Sequence, residues 1–179
     1  MENISRRNFM KGVGAVALAT AATGLLSGCG DNGLIVDANG LNDPAELKGV
    51  KMTVRRLSYA PYNDGTFYFV PEVLINNNSA GGIPLKPAGG SFELWLNGSI
   101  KLNISDETMA RLDSSKDFTR MDSRTLSRGQ YEKGSLCGKG TGVSSFNYLY
   151  VIFYPNPEDQ KTALRCKIYA KEAKILLGI

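Results

Sequence analysis

Two neighbouring stretches decide the fold, and they read Tyr148-Leu149-Tyr150-Val151-Ile152-Phe153-Tyr154 and Ala163-Leu164-Arg165-Cys166-Lys167-Ile168-Tyr169. Buried-type and exposed-type residues alternate in both with a period of two, which is typical of half-buried β-strands. The segment 155–162 between them holds two prolines and predicts a turn. Pairing Tyr154 with Ala163 would place three cross-strand pairs on one apolar face. Those pairs are Phe153 with Leu164, Val151 with Cys166 and Leu149 with Ile168.

The opposite face of this hairpin is predicted to carry aromatic rings beside cations, and we call it the tyrosine–cation face. It consists of Tyr148, Tyr150, Tyr154, Tyr169, Arg165 and Lys167. Such rings can stack on sugars or bases, and the cations can meet carboxylate or phosphate. The alternative is plain cross-strand packing on a solvated face, or cover by a neighbouring segment. Burial of all four tyrosines would remove the case for binding.

Trp95, the only tryptophan of the chain, is a further candidate for ligand binding. The strand that contains it, Ser91 to Asn97, places Phe92, Leu94 and Leu96 on one face, so Trp95 lies on the polar face with Glu93. The alternative is that Trp95 packs under a loop or into the core.

Other strands can be read outward from the central hairpin. Val50, Met52 and Val54 alternate with polar residues, and Thr66 to Asn76 is apolar on both faces although Pro71 interrupts it, which predicts a bulge or an edge position there. Asn97-Gly98 is a two-residue hairpin signal, and Ser105 is a candidate cap for a short helix. Six or more short strands with one weak helix predict an all-β, antiparallel β-sandwich.

Residues 50 to 171 resemble the immunoglobulin-like domains found on bacterial lipoproteins, relatives of the mycobacterial immunoprotective extracellular antigen. The segments that carry the resemblance are 69–77, 91–96, 126–136 and 148–155. The resemblance implies an antiparallel immunoglobulin-like sandwich. It implies no activity, because an active site does not define that family.

The first residues resemble an export signal. Arg6 and Arg7 are followed by Phe9 and Lys11 and then by an uncharged run, in the order of a twin-arginine signal. The run of about 16 residues is short for a bilayer span, which needs about 20. The pattern is therefore typical of a secretory signal, and the twin-arginine route implies that the protein folds before it crosses the membrane.

The stretch Leu26-Ser27-Gly28-Cys29 resembles the lipobox of bacterial lipoproteins. In that family the cysteine receives a diacylglyceryl group and becomes the new N-terminus. The alternatives are a plain cleaved signal or an uncleaved anchor helix. We therefore predict a signal peptide at 1–28, a flexible tether at 29–48 and a β-sandwich domain at 49–179. The expected location is the extracytoplasmic face of the cell membrane, where acyl chains would hold the protein.

Composition narrows the function classes. The 179-residue chain has no histidine, which removes the commonest general base and zinc ligand and the Ser-His-Asp arrangement. No metal or cofactor motif is present in the sequence. Without residues 1–28 the net charge is +2, which argues against a dedicated nucleic-acid binder. We expect a non-catalytic domain that requires no cofactor.

Two cysteines remain after lipidation of Cys29, namely Cys137 and Cys166. An even pair in an exported protein favours a disulfide. Closing a loop of roughly 30 residues would contribute about 3–4 kcal/mol. The alternative is two free buried thiols.

Three functions follow from the sequence. The first is a membrane-anchored, non-catalytic sandwich that binds an envelope protein or glycan. The second is an accessory subunit docked through an apolar C-terminal tail exposed around 175–177. The third is a histidine-free glycan hydrolase, which would need two carboxylates in one cleft. Its candidate carboxylates are Glu72, Glu93, Asp106 and Glu107.

Overall fold

The computed structural model describes residues 33–142 and 145–176, and these form a β-sandwich with one short α-helix. The strands are β1 (Ile35–Asn39), β2 (Pro44–Leu47), β3 (Val50–Pro61), β4 (Thr66–Asn77), β5 (Ile83–Leu85), β6 (Phe92–Leu96), β7 (Ile100–Lys101), β8 (Arg124–Leu126), β9 (Gln130–Ser135), β10 (Gly138–Thr141), β11 (Tyr148–Phe153), β12 (Ala163–Tyr169) and β13 (Lys174–Ile175). The helix α1 spans Asp106–Ala110, and 3-10 turns lie at Pro87–Gly89, Arg111–Ser114 and Ala170–Glu172. The all-β sandwich predicted from the sequence, there described as immunoglobulin-like, is confirmed as a β-sandwich.

Two sheets enclose the core. The first has the strand order β1-β12-β11-β6-β7, and the second has the order β10-β4-β3-β13, with β2 also paired to β3 and β9 to β4. A small third sheet joins β5 to β8. Most neighbours are antiparallel, but β1 runs parallel to β12 and β13 parallel to β3. These two parallel pairings lie at sheet edges and are departures from the antiparallel prediction.

The predicted register of the central hairpin is confirmed. Phe153 pairs with Leu164, Val151 with Cys166 and Leu149 with Ile168. All six residues of these pairs are fully buried, with no measurable exposure. Because side chains alternate along a strand, this register directs the tyrosines and cations of β11 and β12 to the outer face of the first sheet.

Both faces of β4 are buried from Phe67 to Pro71, as its apolar sequence predicts, whereas Glu72, Leu74 and Asn76 on its outer face are half-buried. One face packs inside the sandwich, and the other lies beneath the segment 105–121, whose buried side chains Met109, Leu112, Phe118 and Met121 cover it. Pro71 has no backbone N–H that could donate to a neighbouring strand. It lies opposite the break between β9 and β10, where the ladder is already interrupted. The bulge lies in the partner strand β3, between Val54 and Arg56.

The helix begins where the sequence predicts. The Ser105 side chain accepts a hydrogen bond from the Thr108 backbone N–H, and the Thr108 side chain accepts one from the Ser105 N–H. This reciprocal capping satisfies two backbone donors that a helix start otherwise leaves unpaired. The Thr108 hydroxyl of the capped helix donates to the Cys137 carbonyl, which holds the covering segment against part of the outer face of the second sheet.

The tether prediction is wrong for most of its length. Residues 35–39 form β1, which pairs along its whole length with β12, and residues 44–47 form β2 on β3. Ala38 and Ala45 are buried in the core. The alternation is too short to stand out in the sequence, because only two residues of each strand face inward, and of these Val36 and Leu47 are only half-buried. The folded domain therefore begins by Ile35.

The C-terminal segment joins the second sheet. Lys174 and Ile175 pair with Ser58 and Tyr59 of β3, and the Leu176 N–H donates to the Tyr59 carbonyl. The Ile175 side chain is exposed, yet its backbone is part of the ladder. This pairing counts against a free apolar tail at 175 and 176, and residue 177 lies outside the described residues.

Candidate functional site

The tyrosine–cation face lies on the open side of the first sheet. None of its six residues is buried, and Tyr169 is 40% exposed. Trp95 is half-buried on β6 and pairs with Tyr150 across the strands. The prediction that these side chains share one accessible face is therefore consistent with the geometry, and the register of β11 with both neighbours explains it.

Lys167 stands at the centre of a group of rings. Its ammonium lies 4.2 Å from the ring centroid of Tyr148, 5.2 Å from that of Tyr169 and 6.0 Å from that of Tyr150. The rings of Tyr148 and Tyr150 meet edge to face with centroids 5.0 Å apart. Each ring attracts a cation through its negative face. Within the described part of the chain, the ammonium of Lys167 forms no ion pair.

Arg165, by contrast, is neutralised. Its Nε and Nη2 donate to the two carboxylate oxygens of Asp37 at 2.6 and 2.9 Å, and its guanidinium lies 4.7 Å from the ring centroid of Tyr150. The bond to Asp37 raises the pKa of Arg165 above its ordinary value. This fork-to-fork pair fixes the guanidinium, so of the two cations on β12 it is Lys167 that remains available to a ligand.

Glu93 organises the other half of the face. Its Oε2 accepts from Trp95 Nε1 at 2.8 Å and from the Tyr154 hydroxyl at 3.1 Å, and its Oε1 accepts from Lys101 Nζ at 2.5 Å. The Glu93 side chain is only 11% exposed, whereas Lys101 is 54% exposed. One buried carboxylate therefore fixes the indole and the phenol and holds the ammonium at the rim.

The pKa values agree with this arrangement. Burial of the carboxyl group works to raise the pKa of Glu93, but the bonds from Lys101, Trp95 and Tyr154 outweigh it and lower that pKa below its ordinary value. Burial, and then the Glu93 charge, raises the pKa of Tyr154 to about 12. Glu93 is thus a carboxylate and Tyr154 a neutral donor at neutral pH.

The four candidate carboxylates do not share one partner. Glu72 pairs with Arg56 and Lys133 on the second sheet, Glu93 with Lys101 on the first, and Asp106 with Arg120. Glu107 is exposed in the first turn of α1. Three of the four thus belong to separate ion pairs on different elements.

Two charged residues of this face were missed in the sequence, Lys101 and Asp37. A two-residue hairpin at Asn97-Gly98 would pair Leu96 with residue 99 and turn Lys101 inward. The structure instead pairs Leu96 with Ile100, one residue later, so Lys101 lies beside Trp95 on the outer face. Asp37 was assigned to the tether, and only the pairing of β1 with β12 reveals its role.

The predicted disulfide is absent, and Cys137 and Cys166 are free buried thiols. Cys166 faces the core and donates to the Gly40 carbonyl at 3.3 Å. A Cβ added at Gly138 would meet Leu94 of the first sheet, so position 138 faces the inside of the sandwich. Successive side chains of a strand point to opposite faces, so Cys137 points to the other side, under α1. Burial raises the pKa of each thiol to about 12.

Two concavities lie outside this face. An aromatic pocket of about 200 Å³ is lined by Tyr59, Pro61, Phe67, Phe69, Ser145, Phe146 and Ala170. A groove of about 410 Å³ runs along the edge of the first sheet beside Glu93 and Lys101, with Gln160 and Asn103 on its walls. The groove adjoins the tyrosine–cation face, whereas the pocket opens between the sheets.

A family model described as the twin-arginine translocation (TAT) pathway signal sequence matches residues 3–23. The protein is exported across the cytoplasmic membrane. The predicted signal residues Arg6, Arg7, Phe9 and Lys11 fall within this match, while they and Cys29 lie outside the described residues of the structure. No helix in the described ranges is long and apolar enough to cross a membrane. No curated protein matches the sequence.

Several solved structures are similar to this exported chain. A candidate lipoprotein of Bacillus subtilis, YcdA, is 12% identical with a TM-score of 0.52, over 72% of this chain and 38% of its own length. MPT63, a secreted protein from Mycobacterium tuberculosis, is 14% identical with a TM-score of 0.48, over 74% and 97%. The YjhA protein of Bacillus subtilis is 14% identical with a TM-score of 0.48, over 73% and 99%. The first similarity supports the fold alone, and the chain spans well under half of that protein.

Proposed function

We propose that the protein is a lipid-anchored, extracytoplasmic binding module that holds an acidic glycan on its tyrosine–cation face. The observation that carries this proposal is the ammonium of Lys167, which stands among three tyrosine rings without a carboxylate partner in the described part of the chain. A ligand carboxylate would complete that site with a charge-assisted hydrogen bond.

A glycan fits the remainder of the face. Sugar rings present flat surfaces of C–H groups that pack on aromatic rings, and their hydroxyls find polar partners around the rings. Tyr148, Tyr150 and Trp95 are all half-buried, so each ring is held in place by its neighbours while part of it stays accessible. A protein partner would ordinarily need a larger apolar centre, and among the rings of this face only Tyr169 is exposed, whereas the others are half-buried.

The anchor proposal is supported by the sequence. Two residues separate the stretch Leu26-Ser27-Gly28-Cys29 from the end of the matched export signal, which covers residues 3–23. Five residues separate Cys29 from Ile35, so an extended chain brings the lipid within about 20 Å of β1. Ile35 pairs with Ala163, and Lys167 pairs with Asn39 four residues further along. The rings around Lys167 thus lie about 13 Å along the strands from Ile35, where β1 begins after the proposed lipid site.

The other two functions have less support. An accessory subunit docked through a free apolar tail is disfavoured because β13 is paired into the second sheet. A glycan hydrolase needs two carboxylates that act together, and Glu72, Glu93 and Asp106 belong to separate ion pairs. Neither alternative has an observation of its own in its favour.

The experiment compares Lys167→Met with wild type in binding to an oligo-uronate and to a neutral glucan of equal length. The exported protein carries Cys29→Ser so that it stays in solution. We expect wild type to bind the uronate in preference to the glucan, and Lys167→Met to weaken uronate binding by about tenfold, the value of one charge-assisted hydrogen bond.

Lys116→Met is the matched control. Lys116 is an exposed lysine on the segment that covers the second sheet, so this variant changes the net charge equally without touching the tyrosine–cation face. Equal binding by both lysine variants would contradict the proposal, as would a wild type that does not distinguish uronate from glucan. Wild-type preference for an acidic protein over every glycan would assign the face to a protein partner instead.

A further inference from the structure

Four residues on four neighbouring strands form a row across the tyrosine–cation face. Lys167 on β12 pairs with Tyr150 on β11, Tyr150 pairs with Trp95 on β6, and Trp95 pairs with Lys101 on β7. The order across the sheet is therefore cation, ring, ring, cation. Adjacent strands lie about 4.8 Å apart, so the two lysine positions are about 14 Å apart across three intervals.

The next row along the strands has the opposite charge at its ends. Asp37 pairs with Arg165, Arg165 with Ile152, and Ile152 with Glu93, so a carboxylate stands at each end of it. An acidic ligand displaced towards this row would meet the Glu93 carboxylate and a guanidinium that Asp37 already pairs, so the row offers it no unpaired cation. The row from Lys167 to Lys101 is therefore the favourable path for a chain of acidic units.

Lys101 differs from Lys167 in its surroundings. Its ammonium pairs with Glu93 and lies 5.9 Å from the ring centroid of Trp95, but more than half of its side chain is exposed. An ammonium has three N–H donors, so Lys101 keeps donors for a ligand while Glu93 holds it beside the indole. It is a weaker site than Lys167, because part of its charge is already compensated.

We propose that the acidic glycan binds as a linear oligomer laid perpendicular to the strands, with one acid group at Lys167 and a second at Lys101. Tyr150 and Trp95 each stack against one of the sugar rings between those acids. The distance between these two strand positions is close to the length of one pyranose unit, so successive sugars meet successive rings. This inference rests on the proposed function and adds the length, direction and charge spacing of the ligand.

The test measures affinity against oligomer length. Calorimetry with uronate oligomers from the dimer to the hexamer should give affinities that rise until the oligomer spans both lysines and then level off. Lys167→Met should weaken every oligomer. Lys101→Met should weaken the hexamer by about fivefold, as expected for a partly exposed ion contact, and leave the dimer unchanged. Trp95→Ala should act like Lys101→Met, with Tyr131→Ala as a control on the exposed ring of β9.

The outcomes separate the two proposals. If Lys167→Met weakens binding but affinity is independent of length and of Lys101, the proposed function stands and the transverse ligand is refuted. If no oligomer binds to wild type, both fail. A loss of affinity in Trp95→Ala counts only when its urea midpoint equals that of wild type, and Lys101→Met tests the same row without altering the core.

Discussion

Replacement of Glu93 by glutamine tests the organisation of the face most sharply. Glutamine keeps the shape of the side chain but has one oxygen instead of two. That oxygen can still accept from Trp95 Nε1 and Tyr154, now 2.8 and 3.1 Å from Oε2, while the amide NH₂ then faces the ammonium of Lys101. Two donors facing each other cannot bond, so Lys101 must turn into solvent.

The expected loss of stability follows from the bond that disappears. A hydrogen bond between charged groups contributes about 1.5–3 kcal/mol. The lower end applies, because the Lys101 side chain is 54% exposed and solvent screens it. We therefore expect Glu93→Gln to lower the free energy of unfolding by about 1.5 kcal/mol, or the urea midpoint by about 0.8 M at a typical slope near 2 kcal/mol/M.

The pH dependence has a definite sign. Folding lowers the pKa of Glu93 below its ordinary value of 4.5, so its ionic contribution is fully present above that pH and is lost as the pH falls through the folded-state pKa. The glutamine variant has no such group. The difference in stability between wild type and Glu93→Gln should therefore be largest at neutral pH and shrink below pH 4.5.

Urea unfolding followed by far-ultraviolet circular dichroism at pH 7 and pH 3 measures both quantities without relying on Trp95 fluorescence, which the substitution itself would change. Glu158→Gln is the matched control, because Glu158 is exposed in the turn between β11 and β12. A difference from wild type below about 0.5 kcal/mol at pH 7, the range of ordinary surface substitutions, would refute the role of Glu93. So would a difference that stays constant on acidification.

Three further predictions concern the fold. Gly134→Ala should lower the free energy of unfolding by about 1–3 kcal/mol, because its Cβ would lie 2.4 Å from a backbone Cα of the covering segment. Gly81→Ala is the control in the same urea titration and should have little effect, because open space surrounds that position. Cys137 and Cys166 should both resist a thiol reagent at pH 8 in the native protein and react in urea. A disulfide-linked species that mass spectrometry detects without reductant, and that reductant removes, would contradict the structure. Deletion of residues 29–39 should lower the free energy of unfolding by at least about 2 kcal/mol, because it removes β1 and leaves the edge of β12 unpaired. An unchanged urea midpoint is the result expected of a true tether and would contradict this role of β1.

The sequence predicted the centre of the fold better than its edges. The hairpin of β11 and β12 alternates strictly over many residues, and a one-residue slip would turn every apolar side chain outward, so the pattern determines its register. The candidate cap at Ser105 was also confirmed, because capping residues act locally. By contrast, β1 and β2 gain their order from pairing with distant strands, and nothing in their own composition requires it.

The candidate site was predictable in part for the same reason. Its residues on β11, β12 and β6 follow from alternation within long strands. Lys101 depends on a one-residue shift after the Asn97-Gly98 turn, and Asp37 depends on β1. The disulfide prediction for Cys137 and Cys166 relied on the expected export of the protein. It was wrong because the Cys166 side chain faces the inside of the sandwich, whereas Cys137 points to the opposite side of its strand.

Chemical footprinting of lysines in the wild-type protein tests the central claim most directly. The exported protein is acetylated briefly with and without an oligo-uronate hexamer, and mass spectrometry measures the acetylation of each lysine. Our account predicts strong protection of Lys167, weaker protection of Lys101 and none of Lys116 on the opposite side. Saturating ligand with Lys167 acetylated as fast as in the free protein would contradict it.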